Sequence, residues 1–75
     1  MSSIHTKAYK KLVERLKTAR LAAGLTQVEV AEEMDLTQSA VSKCESGERR
    51  VDVIELKAFA DLYGVSVSFL IEGKS

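Results

Sequence analysis

Two helix starts stand close together in one segment of the chain, and they restrict the fold more than any other feature. Residues 26–47 read TQVEVAEEMDLTQSAVSKCESG. Thr26 and Thr37 are each followed by Gln, and Gly47 closes the second run. A threonine hydroxyl accepts from backbone N–H groups of the first helical turn and so starts a helix. Glu29 follows Thr26 at the spacing of a capping box. The segment is expected to form two short helices joined by a tight turn. Asp35 falls in that turn, where a left-handed backbone is called for. Glycine adopts it most easily, and aspartate tolerates it better than most residues.

The remainder supplies helices that brace this pair. The chain has no proline, and no period-two alternation long enough to require a strand. A first helix is expected over 7–23, with Tyr9, Leu12, Val13, Leu16, Ala19 and Ala23 as one apolar stripe. Val30, Ala31 and Met34 face inward on the second helix, and Leu36 plugs the core after it. The third helix covers 38–46, with Val41 and Cys44 inward and Gln38, Ser39, Ser42 and Lys43 outward. Asp52 and Glu55 form a second capping box. It opens a fourth helix over 53–63, with Val53, Leu56, Phe59, Ala60 and Tyr63 buried. Ser66 caps a short fifth helix over 67–72, where Phe69 and Leu70 close the domain. The expectation is an all-α, five-helix domain over 7–72, with tails at 1–6 and 73–75.

Composition narrows the function. Seventy-five residues suffice for one core, and an apolar fraction of 45% is ordinary for a folded domain. No apolar run approaches the roughly 18 residues needed to cross a bilayer. The N-terminus lacks the apolar core of a signal peptide. A single cysteine excludes an intrachain disulfide, and a cytoplasmic protein is expected. Catalytic groups do not converge. His5 is the only histidine and lies in the expected tail, Cys44 falls on a buried stripe, and Glu32 and Glu33 point in different directions. No phosphate-binding glycine loop is present, and one His with one Cys makes no structural zinc site. The chain is therefore expected to be no enzyme, with no cofactor or metal. Its net charge is zero. Residues 1–25 carry six Lys and Arg against one Glu, and residues 26–48 carry six acids against one Lys. Such segregation allows a basic surface on a neutral molecule.

The outward face of the third helix carries groups suited to base edges. Glutamine pairs with adenine, lysine donates to guanine, and serine does either. A pair of short helices at a steep angle is one way to set such a face into the major groove. Here the sequence resembles the phage-repressor and Cro-like helix-turn-helix domains, the XRE family. The resemblance covers 12–70 and is carried by Arg20, GLTQ at 24–27, Ala31, LTQSAVSKCESGERR at 36–50 and LYGVSVSFLI at 62–71. It implies a compact lambda-repressor-like fold with the helix-turn-helix in helices two and three. It also implies roles: Gln38 as leading base contact with Ser39, Ser42 and Lys43 beside it, Gln27, Arg49 and Arg50 on phosphates, and Arg20 with Glu45 as an internal ion pair. Two departures stand out. Asp35 replaces the family's usual glycine, and Cys44 replaces a larger apolar residue, so the core there is expected to be thinner or filled by a neighbour.

Partners follow from size. One small domain offers few base contacts, so a homodimer on a two-fold operator of double-stranded DNA is expected. Ile54, Leu62, Val67 and Ile71 fall off the main core stripe and form the candidate dimer patch. No membrane or small-molecule ligand is indicated. The leading function is a small stand-alone transcriptional regulator, of phage-repressor or restriction–modification controller type, encoded by a bacterium or phage. The alternatives are the antitoxin of a toxin–antitoxin pair, or a protein-binding module that kept the fold.

Overall fold

Short polar side chains set every helix start. A computed structural model describes residues 6–74, and these form five helices. They are α1 (Lys7–Ala22), α2 (Gln27–Met34), α3 (Gln38–Ser46), α4 (Val53–Tyr63) and α5 (Val67–Glu72). No strand occurs among the described residues. Thr6, Thr26, Thr37, Asp52 and Ser66 each accept from a backbone N–H of the following turn. Thr26 with Glu29 and Asp52 with Glu55 close reciprocal capping boxes. Residues 1–5, including His5, and Ser75 lie outside the described residues. Of the expected tails, Thr6 caps α1 and Gly73 caps α5.

Each helix contributes to one core. Leu16, Val30, Val41, Cys44, Phe59 and Leu70 are fully buried. The Phe59 and Tyr63 rings stack with centroids 5.8 Å apart. Truncating Leu16 to alanine is expected to cost about 2–5 kcal/mol through lost transfer energy and the cavity left behind. Asp35 ends α2 with φ 55° and ψ 44°, the left-handed geometry that aims α3 across α2. It is the only non-glycine residue with positive φ among those described.

Two positions depart from the periodic stripes. Ala23 is exposed, because α1 ends at Ala22 and the stripe's last position falls past its packed turns. Arg20 takes inner space on the same helix, at 7% exposure. Val53 is 74% exposed. It is the first residue of α4, and the buried face begins one turn later at Leu56. Leu62 and Val67, expected outside the core stripe, are half-buried and pack against the core. α5 packs on both α1 and α4, which leaves less of these two helices uncovered than a one-faced stripe implies.

Two ties cross long stretches of sequence. Arg15 Nη1 donates to the carbonyls of Leu70, at 3.4 Å, and Ile71, at 3.0 Å. The first helix thus satisfies open carbonyls at the end of the last one. The Val51 N–H donates to Tyr9 Oη at 2.9 Å, which anchors the α3–α4 loop on α1.

Candidate nucleic-acid interface

α3 has two unlike faces. Val41 and Cys44 are wholly buried, whereas Gln38, Ser39, Ser42 and Lys43 are exposed. The division follows from the helical repeat, which places positions three and four apart on one side. The helix begins at Thr37, whose Oγ1 accepts from the Ala40 N–H at 3.0 Å, so Gln38 leads the exposed face.

Behind that face lies a buried ion pair. Arg20 Nε donates to Glu45 Oε2 at 2.6 Å, and Nη2 to Oε1 at 3.2 Å. Nη1 of the same guanidinium donates to the Leu25 carbonyl at 2.8 Å. The side chains are 9% and 4% exposed. The hydrogen bonds to Glu45 raise the pKa of Arg20, while burial pulls the other way. The pair joins α1 to α3 and ties both to the turn before α2. The cost of taking both charges out of water offsets much of their attraction, so the pair is weak evidence for added stability.

Gln27 connects this pair to the surface. Its Nε2 donates to Glu45 Oε1 at 3.0 Å, and its Oε1 accepts from Gln38 Nε2 at 3.5 Å. Position along the sequence gives no sign of this chain, because it depends on the crossing of α2 over α3.

The loop after α3 separates two adjacent arginines. Arg49 turns inward: Nη1 and Nη2 donate to Glu55 Oε1 and Oε2 at 3.0 and 2.9 Å. Nη1 also donates to Cys44 Sγ at 3.3 Å. The neighbour expected to fill in beside Cys44 thus includes the Arg49 guanidinium. Its bonds to Glu55 hold Arg49 more firmly protonated, and in return keep the Glu55 carboxyl below the usual range. Burial pushes the Cys44 thiol up. Arg50 remains exposed, beside an apolar groove shared with Tyr9, Leu12 and Ile71. No ion pair engages Arg50 among the described residues.

No cluster of three or more His, Cys, Asp or Glu gathers among the described residues. No helix of the described residues is long and apolar enough to cross a membrane.

Comparison with known proteins bears on the same elements. A family model described as "Helix-turn-helix" matches residues 16–70. The HTH-type transcriptional regulator ImmR of Bacillus subtilis (strain 168) is 38% identical over 60 residues, 80% of this chain and 47% of that protein. An SPbeta prophage-derived HTH-type transcriptional regulator, YonR, of the same strain is 33% identical over 60 residues, covering 80% and 56%. The HTH-type transcriptional activator BcrR of Enterococcus faecalis is 31% identical over 61 residues, covering 81% and 30%. The chain thus spans between 30% and 56% of the length of these curated relatives. Among solved structures, an XRE-family like protein from Pseudomonas syringae pv. tomato str. DC3000 superposes with a TM-score of 0.82 at 42% identity. That match covers 95% of this chain and 87% of the other.

Proposed function

The chain belongs to the XRE-type helix-turn-helix family of transcription regulators, and from that premise we propose that it binds double-stranded DNA sequence-specifically, as a homodimer with α3 of each copy in the major groove. The observation that carries the proposal is the exposed row Gln38, Ser39, Ser42 and Lys43 on a helix whose other face is locked into the core. Its hydrogen-bonding groups suit base edges. Gln27, at the start of α2, lies where a helix N-terminus favours phosphate. Arg50 supplies an exposed charge for the backbone. Arg49, expected on phosphate, is gripped by Glu55, which offsets its charge, so its part is to shape the loop that presents Arg50.

The dimer is proposed to form through α4 and α5. Ile54 and Ile71 are 76% and 51% exposed, and Leu62 and Val67, half-buried against the core, are the less accessible members of the proposed set. The regulator is proposed to act on a two-fold operator, as a phage-type repressor or as a regulator of the restriction–modification controller type.

Selection of bound duplexes from random DNA tests the proposal. The wild type should enrich a two-fold motif. Gln38→Ala should lose preference at one base pair of each half-site, at a cost of about 1–3 kcal/mol. A Gln38→Ala variant weakened equally on all sequences would remove the base-reading role.

A further inference from the structure

A chain of hydrogen bonds runs from the buried Glu45 carboxylate through Gln27 to Gln38 at the start of α3. Glu45, in the last turn of α3, has its side chain 4% exposed. A carboxylate has only lone pairs to offer. Arg20 donates to both of its oxygens, and Gln27 Nε2 donates to Oε1 at 3.0 Å. A glutamine amide can meet a carboxylate in one orientation only, NH2 first. Gln27 therefore turns Oε1 outward, and Gln38 approaches that oxygen with its own Nε2 at 3.5 Å, the long end of hydrogen-bond range. Every link donates inward. With Nε2 drawn toward Gln27, Gln38 leads with its oxygen at the exposed start of α3.

We infer that Glu45 is a positioning residue for base choice: acting through Gln27, it holds the Gln38 amide with its oxygen forward, so that α3 selects bases that present an amino group in the major groove. Those bases are adenine, through N6, and cytosine, through N4. Guanine and thymine present acceptors at O6 and O4. The inference rests on the proposed role of α3 as the base-contacting helix. It assigns to a buried carboxylate, otherwise half of a structural ion pair, control over a contact it does not touch.

Glu45→Gln reverses the relay. The Arg20 N–H groups still require an acceptor, so the new amide turns its oxygen to Arg20 and its NH2 to Gln27. Gln27 then points its oxygen inward and its NH2 at Gln38. The Gln38 oxygen turns toward Gln27, and its NH2 leads. Gln27→Leu cuts the relay while leaving both bonds between Arg20 and Glu45 in place.

The experiment is selection from random DNA with wild type, Gln38→Ala, Glu45→Gln and Gln27→Leu, each checked for folding by circular dichroism. Gln38→Ala identifies the base pair that Gln38 reads. There the wild type should favour adenine or cytosine. Glu45→Gln should move the preference toward guanine or thymine by about tenfold in relative affinity, and Gln27→Leu should relax it. A loss of phosphate contact alone would weaken all sequences and leave the motif unchanged. A wild type that favours guanine or thymine at that pair overturns the inference. So does a folded Glu45→Gln or Gln27→Leu variant with the wild-type preference. If Glu45→Gln does not fold, the double variant Arg20→Met, Glu45→Met, which keeps the buried volume and removes the carboxylate, takes its place: it should relax the preference at that pair, and a folded double variant with the wild-type preference overturns the inference. A wild type that enriches no motif removes base reading by α3, and this inference with it. An unchanged motif in the variants removes the relay only.

Discussion

Arg49 and Glu55 grip one another through two parallel hydrogen bonds, Nη1 to Oε1 at 3.0 Å and Nη2 to Oε2 at 2.9 Å. Glu55 also accepts from the Asp52 N–H at 3.3 Å, so one carboxylate closes the loop after α3 and caps α4. Arg49 holds its pKa below the ordinary value of 4.5. A depressed carboxyl pKa contributes stability that is present above the ordinary value and is lost as pH falls through the folded one. Thermal melts of the wild type should therefore drop as pH falls below about 4.5. Glu55→Gln keeps a side chain able to cap the helix but removes the charge. Its melting temperature should be lower at neutral pH and should fall less on acidification. An equal acid response in both proteins would place the sensitive group elsewhere.

Lys43 should contribute to base choice from the exposed face of α3. Lys43→Ala should cost about 1–3 kcal/mol on the selected operator and less on random DNA. Fluorescence anisotropy on both duplexes measures the difference. Equal losses on the two would make Lys43 a backbone contact.

Arg50 should supply affinity without sequence choice. Each neutralised phosphate contributes about 0.9 to the slope of log affinity against log salt. In a dimer, Arg50→Ala should flatten that slope by about two units and leave the selected motif unchanged. An unaltered slope would show that this side chain does not reach the backbone.

Cys44 should be slow to react in the folded protein. It is fully buried, and burial pushes its thiol up, which reduces the reactive thiolate. Thiol labelling should be slow under native conditions and accelerate in denaturant. Labelling of the native protein at the unfolded rate would contradict its placement in the core.

The dimer patch can be tested where it is most exposed. Ile54→Glu or Ile71→Glu should leave the fold intact, because neither residue belongs to the core. Sedimentation at micromolar concentration should show a dimeric wild type and monomeric variants. A wild type that stays monomeric both free and on DNA would end the idea.

Helix starts were legible because capping is local. The hydroxyl of Thr26, Thr37 or Ser66 and the N–H it accepts from lie within one turn. Helix limits and core membership were less so. Periodicity puts Ala23 and Val53 on apolar stripes but cannot say where packing stops, and both are exposed. The exposed row on α3 could be read from the repeat alone. The chain from Glu45 through Gln27 to Gln38 could not, since it depends on two helices crossing. Nor does an adjacent Arg49 and Arg50 announce which turns inward. The only local hint was Glu55, whose spacing from Asp52 already assigned it to a cap.

The bonds from Arg15 to the carbonyls of Leu70 and Ile71 join residues 55 and 56 apart in sequence. A nascent chain must therefore emerge through Ile71 before α1 meets its last partners. The exposed row on α3 is braced by α1 through Arg20, and α1 is braced by α5. During synthesis, the placement of α1, and through Arg20 that of α3, is thus completed only once α5 has left the ribosome.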